Sequence, residues 1–236
     1  MTTEEYVEDI LGTCHPLKLL SHKNGCRVIR LRHKKLGRDM ILRSYPTPVL
    51  AYRTLLDIKT EYLPTVYDVI TLSDGEVVLE EFIDGMTLCD MMEVEKHNEE
   101  QAKSIIHSVC MALDILHGYG IVHRDVKPEN VILGDDGRVA LIDLNASRKV
   151  ATGDLVRKDT VIMGTVGYAS PEQLGLMQSD SRTDVYAVGV MLNVMLTGKH
   201  PTEQLAGGKY GAVVRKCTHI NPDNRYQSAL KLAAAL

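Results

Sequence analysis

No two cysteines in this sequence stand at metal-site or redox spacing. The five, Cys14, Cys26, Cys89, Cys110 and Cys217, are odd in number and scattered, with no C-x-x-C motif. That excludes a disulfide framework and an ordinary zinc site, and it predicts reduced thiols in a cytoplasmic protein. Long runs of one charge are missing as well. With 27 Lys and Arg against 31 Asp and Glu, the formal net charge is -4, which gives no electrostatic reason to expect nucleic acid as a partner. The densest basic stretch, residues 27–43, reads as the wet face of a hairpin. The first ten residues, MTTEEYVEDI, lack the basic and apolar regions of a secretory signal. The longest apolar tract, residues 185–196, is broken by Asn193 and is too short for a membrane span. Repeats and low-complexity tracts are also absent. What remains is a globular composition, 44% hydrophobic and 25% charged over 236 residues, enough for one domain or two packed lobes.

The texture changes near Asp84-Gly85, from strand-like to helix-like segments. Residues 27–31 and 40–42 predict a hairpin around Leu36-Gly37-Arg38, residues 50–58 a short helix, and residues 66–70 and 77–82 further strands. Asn98 with Gln101 three positions on predicts a capped helix start, followed by Ala102, Ile105, Ile106, Val109, Leu113 and Leu116 at helical spacing. Asp135-Asp136-Gly137 between two apolar runs predicts a second hairpin. Residues 184–196 are apolar nearly all round, which predicts a buried helix stopped by Gly198 and Pro201. Weak helices near residues 211–218 and 228–236 finish the chain.

Between the capped helix and the second hairpin lies His123-Arg124-Asp125-Val126-Lys127-Pro128-Glu129-Asn130, and Asp143 ends the hairpin's second strand. This supplies a base, a cation and two oxygen ligands. Phosphoryl transfer needs an oriented hydroxyl, an offset for phosphate charge and a held Mg²⁺. Asp125 can orient the hydroxyl and Lys127 can reach the transferred group. Asn130 and Asp143, at facing ends of paired strands, can share a hard, oxygen-seeking ion.

These residues resemble the catalytic loop H-R-D-x-x-x-x-N and the following D-F-G of the protein kinase superfamily. Downstream, Gly164-Thr165-Val166-Gly167-Tyr168-Ala169-Ser170-Pro171-Glu172 looks like the end of an activation segment, with Ser170 where A-P-E has Ala. Asp184 matches the aspartate that caps the catalytic-loop backbone, and Arg225 the arginine that pairs with the A-P-E glutamate, here Glu172. Asp143-Leu144-Asn145 and Pro171-Glu172-Gln173 look similar to compact bacterial kinases, as in Firmicutes. The resemblance implies an α+β bilobal fold over residues 1–236, with an antiparallel-sheet first lobe (1–83) and a mainly helical second lobe (84–236). It implies ATP and Mg as cofactors and a protein substrate. Lys127 with Thr165 is the arrangement of kinases acting on Ser or Thr. Asp125 and Lys127 are then catalytic, Asn130 and Asp143 bind the metal, and Arg43, Val28, Lys23, Glu81, Ile83, Lys127, Asn130 and Asp143 bind the nucleotide. Arg124 suggests capture of a phosphate on the activation loop, at Thr160 or Thr152; Ser147 is a further candidate.

The first lobe departs from the family pattern. Where a glycine-rich loop is expected, Ser21, Lys23 and Cys26 fall at the glycine positions. Arg43 replaces the phosphate-contacting lysine, keeping charge but changing reach. Ala51 falls where a helix glutamate normally pairs with that lysine, so the usual ion pair is expected to be absent, and Glu80 falls at or near the gatekeeper. Asn145 replaces the D-F-G glycine and is expected to adopt the left-handed turn. The intact Asp125, Lys127, Asn130 and Asp143 predict an enzyme. The first-lobe changes fit the alternative, a pseudokinase acting as a nucleotide-binding or scaffolding module.

Overall fold

The computed structural model describes residues 1–95, 97–149, 165–174 and 179–236. They form two compact units, Met1–Thr60 with Pro64–Asp84, and Glu61–Leu63 with Gly85–Leu236. The short excursion of 61–63 into the second unit has a visible tie, since the Tyr62 carbonyl accepts the Leu141 amide at 2.9 Å.

The first unit opens on helix α1 (Thr3–Thr13), which Thr2 and Glu5 start as a reciprocal capping box. Strands β1 (Cys14–Lys23), β2 (Cys26–His33) and β3 (Asp39–Tyr45) follow, then helix α2 (Leu50–Leu55) and strands β4 (Val66–Leu72) and β5 (Gly75–Glu81). The strands form one antiparallel sheet in the order β1-β2-β3-β5-β4. Strand alternation gives the sheet two unlike faces. On one, Val7 and Ile10 of α1 pack against Cys14, Leu31, Leu42 and Val77. The other carries Arg43, Tyr45, Glu76 and Glu80, and there Tyr52 of α2 stacks on Tyr45 with ring centroids 5.8 Å apart. Helix α2 is shorter than residues 50–58. It has no side-chain cap and is held by buried Glu76, which accepts the Val49 amide at 2.9 Å and Arg53 Nε at 3.3 Å.

Helix α1 and strand β1 were not expected, although each leaves a signal. Thr2-Thr3-Glu4-Glu5 is a capping box, and Asn24-Gly25 is the turn that a tight hairpin requires. Both turn residues have positive φ, 52° and 78°. β1 escapes periodicity analysis because nearly all of it is exposed, so no alternation of apolar residues marks it.

The second unit begins with β6 (Gly85–Thr87) and α3 (Leu88–Val94), then the long α4 (Glu99–Gly118), β7 (Ile121–Val122), β8 (Val131–Gly134), β9 (Val139–Leu141) and β10 (Arg148–Lys149). Helices α5 (Ser181–Thr197), α6 (Gly208–Cys217) and α7 (Ala229–Ala233) complete it. α4 starts at the expected Asn98/Gln101 box and buries the six predicted apolar positions. α5 begins earlier than residue 184 because Asp180 caps it by accepting the Arg182 amide. It ends at Gly198, whose φ of 71° is the left-handed cap. Among the described residues no helix is long and apolar enough to cross a membrane.

Candidate active site

The loop after β7 is built around one buried carboxylate. Asp184, in the first turn of α5 and fully buried, accepts the backbone amides of His123 at 2.9 Å and Arg124 at 2.8 Å, with His117 Nε2 at 2.8 Å from the same carboxylate. Burial pushes this carboxyl up, but the His117 bond and the loop amide outweigh it and hold it below the usual range. These bonds hold Arg124 at φ 69°, a left-handed conformation that costs a non-glycine residue about 1–3 kcal/mol. The Arg124 carbonyl in turn accepts Gln173 Nε2 at 2.7 Å. His123 is buried. Its Nδ1 takes the Asp125 amide at 3.3 Å, so its Nε2 carries the proton donated to the Ile142 carbonyl at 3.1 Å. It packs the loop against the strand that leads to Asp143, which is a structural role.

Asp125 emerges from this frame half-buried with three side chains around it. Thr165 Oγ1 donates to Oδ1 at 2.8 Å; Lys127 Nζ lies 2.8 Å from Oδ2, and Asn130 Nδ2 donates to Oδ2 at 3.1 Å. Lys127 Nζ also donates to Thr165 Oγ1 at 2.6 Å. Burial alone would raise the Asp125 carboxyl, but the hydrogen bonds from Lys127 and Thr165 and the lysine's charge outweigh it and hold the group below the usual carboxylate range.

The β8–β9 pairing carries Asn130 and Asp143 to one end of the hairpin. Val131 faces Leu141, and the Ile142 amide donates to the Asn130 carbonyl at 2.8 Å. Asp143 itself takes the left-handed conformation, φ 68°, and its Oδ1 accepts the Asn145 amide at 3.2 Å. This corrects the expectation for Asn145, which is not among the positive-φ residues. The turn needs its unusual backbone at the aspartate, so a glycine is not required two positions later. Leu144 is buried.

Glu172 and Arg225 form the expected pair. Nη1 and Nη2 of Arg225 reach the two carboxylate oxygens at 2.6 and 2.9 Å. Burial would raise the Glu172 carboxyl, yet Arg225 lowers it below the ordinary range. Ser170 is fully buried, its amide and hydroxyl both bonded to Gln173 Oε1. Thr152, Thr160 and Gly164 lie outside the described residues. Ser147 donates its hydroxyl to the Leu144 carbonyl at 2.6 Å.

The first unit revises the sequence reading most. Ser21 pairs with Val28, just past a register shift after Leu19, and Lys23 pairs with Cys26, so the ladder runs up to the two-residue turn Asn24-Gly25 where the glycine loop is expected. Lys23 is an exposed side chain at the end of β1. Val28 lies opposite Arg43 in the β2–β3 register. Glu81 ends β5 and is tied to Thr65, taking its amide on Oε2 at 3.0 Å, and Ile83 follows, half-buried. The usual pair with a helix glutamate is absent, as expected, but Arg43 has a carboxylate partner elsewhere. Its Nε donates to Glu80 Oε1 at 2.6 Å, with both residues buried. Ala51 is buried and contributes no charge. The family pattern places such a partner on the helix; here the sheet register supplies it from the neighbouring strand β5.

Comparison with known proteins agrees with this geometry. A family profile described as protein kinase domain matches residues 51–232. The serine/threonine-protein kinase PknB of Mycolicibacterium smegmatis is 31% identical over 231 residues, covering 87% of this chain and 35% of the relative. The serine/threonine-protein kinase PknL of Mycobacterium tuberculosis is 36% identical over 153 residues, 64% of this chain and 38% of the relative. A probable serine/threonine-protein kinase PknB of Lactococcus lactis is 33% identical over 137 residues, 58% of this chain and 22% of the relative. The chain thus spans about a third of the length of the curated relatives it matches over most of its own length. The catalytic-loop frame, the Glu172–Arg225 pair and a profile match across most of the sequence lead to one assignment: this chain belongs to the protein kinase domain family, with its α+β bilobal fold.

Proposed function

We propose that the chain transfers the γ-phosphoryl group of ATP to Ser or Thr hydroxyls of a protein substrate, with Mg²⁺ as cofactor. The observation that carries this reading is the seat of Thr165. Its hydroxyl donates to Asp125 and accepts from Lys127 at 2.8 and 2.6 Å, which is the polarity a nucleophilic alcohol needs. Asp125, kept ionised by its depressed pKa, orients the substrate hydroxyl and takes its proton. Lys127 offsets charge on the group in transfer.

The residues present fit a magnesium ion. Asn130 spends its amide nitrogen on the backbone carbonyl and carboxylate of Asp125, at 2.8 and 3.1 Å, which leaves its carbonyl oxygen as the ligand-type atom. Among the described residues no group of three or more His, Cys, Asp or Glu could hold a metal. Two protein oxygens, from Asn130 and Asp143, suit a cation that draws its other ligands from water and substrate phosphates. When bound, the ion would neutralise phosphate charge. Arg43 is the cation we assign to the nucleotide phosphates in the first unit, with Val28, Lys23, Glu81 and Ile83 as its other nucleotide contacts. Five free thiols suit the cytoplasm, where ATP is available.

The test is transfer from radiolabelled ATP with Mg²⁺ to peptide pools containing only Ser and Thr or only Tyr, with Asp125→Asn as control. Label in the Ser/Thr pool that the control lacks is expected. Wild-type label no higher than the control would leave the nucleotide-binding or scaffolding module as the better description.

A further inference from the structure

In the first unit, a buried charge pair joins Arg43 to an acid that the sequence did not pair with it. Arg43 comes from β3 and Glu80 from β5, adjacent central strands of the five-stranded sheet. In the register Ile41 faces Glu80 and Arg43 faces Val78, so the two charged side chains sit diagonally on one face. Their atoms are 2.6 Å apart and the side chains only 6% and 4% exposed. Two charges withdrawn from water this far are tolerated when each meets the other with good geometry, and removing either leaves a stranded charge.

We propose that Glu80 is the positioning residue for Arg43, fixing from within the sheet the cation that faces the ATP phosphates. The proposal rests on the phosphate-facing role given to Arg43 under Proposed function. Helix α2 supplies no carboxylate to it. Its sequence, Leu-Ala-Tyr-Arg-Thr-Leu, holds no acidic residue, and its charged tie runs from Arg53 to a different acid, Glu76. The chemistry also accounts for arginine at position 43. A guanidinium has five donors in a rigid fork, so it can hold a carboxylate through Nε and present another edge to a phosphate, whereas an ammonium is a single point. Both partners lie in hydrogen-bonded strands, so the cation is set once the sheet forms. Movement of α2 would then not switch it.

The experiment is a thermodynamic cycle on MgATP affinity, measured by calorimetric titration of wild type, Glu80→Met, Arg43→Met and the double variant, with far-UV melts as the folding check. The double variant replaces a buried ion pair by apolar side chains of similar volume and is expected to fold. Glu80→Gln, which keeps the shape, serves if Glu80→Met does not. Removing Glu80 is expected to weaken MgATP at least tenfold when Arg43 is present and less than twofold when Arg43 is absent. Arg53→Ala, which loosens α2 from Glu76, is expected to leave affinity within twofold. An equal loss with and without Arg43, no loss in either, or a tenfold loss in Arg53→Ala overturns the inference while leaving wild-type transfer intact. A wild type with no MgATP affinity overturns the inference together with the reading it rests on.

Discussion

Arg225→Met tests the energetic reasoning most directly. Arg225 is 2% exposed, and all five of its donors are used: two on Glu172 and the others on the carbonyls of His219, Ile220 and Arg182. Its guanidinium also lies 5.0 Å from the Tyr186 ring centroid. Methionine keeps much of the volume, so little of the loss comes from a cavity. What remains is a buried, unpaired Glu172, and breaking a buried pair from one side costs about 3–5 kcal/mol. For a chain of this size each kcal/mol shifts Tm by roughly 2–4 °C, so a drop of roughly 6–20 °C is expected. The sequence has no tryptophan, so the assay is far-UV circular dichroism in urea and on heating. Arg225→Met with Glu172→Met should recover to within about 1 kcal/mol of wild type or exceed it. The pH dependence follows from signs. In wild type the Glu172 pKa is depressed, so its stabilisation is present above the unfolded value and is lost as pH falls through the lower folded value. In Arg225→Met the hydrogen bond and charge of Arg225 are gone and only weaker hydrogen bonds, among them those from the Glu172 amide and Ser170, oppose burial, so the folded pKa moves up and the gap to wild type narrows as pH falls. A single variant within 1 kcal/mol of wild type (about the size of an exposed pair), or a double variant no better than the single, would refute the argument.

The remaining predictions concern the site and the helical packing. Asp125→Asn should lower transfer by about 10²–10⁴-fold while MgATP affinity holds, because Asp125 faces the hydroxyl; a calorimetric loss of affinity would move Asp125 to the nucleotide. Asp143→Ala should bring MgATP affinity down to the value measured for ATP in EDTA, and an affinity that still responds to magnesium would remove Asp143 from the metal. Folded-state pKa values of Asp125, Asp184 and Glu172 are all depressed, so urea midpoints should not fall on their account between pH 7 and 5. Their stabilisation should disappear below about pH 4, where unfolded carboxylates protonate; recovery of stability on acidification would contradict this. Gly189→Ala should destabilise by about 1–3 kcal/mol, because its Cβ would stand 2.2 Å from Cys217 Cβ where α5 meets α6. A gain in Tm, as alanine's helix preference alone would give, would show that the helices separate easily.

Much of the second unit was legible in the sequence because its information is local. The Asn98/Gln101 cap, the helical spacing up to Leu116, the Asp136-Gly137 turn and the Gly198 stop each act within a few residues, and the structure contains each. The His123 to Asn130 string marks the catalytic loop for the same reason, since its residues are neighbours in the chain. Partnerships across the chain were visible only where a motif carried them, as with Glu172 and Arg225. Arg43 and Glu80 are 37 positions apart, and nothing in composition or periodicity pairs them. Whether two residues on different strands share a face depends on register, and a slip of one residue would send them to opposite sides. Asp143 and Asn145 make the same point at short range, because both residue types tolerate positive φ and only the surrounding packing decided which adopts it. The sequence by itself therefore determined which chemical groups are available and most of the elements that carry them. The tertiary structure decided which charge meets which, because burial and strand register set those contacts.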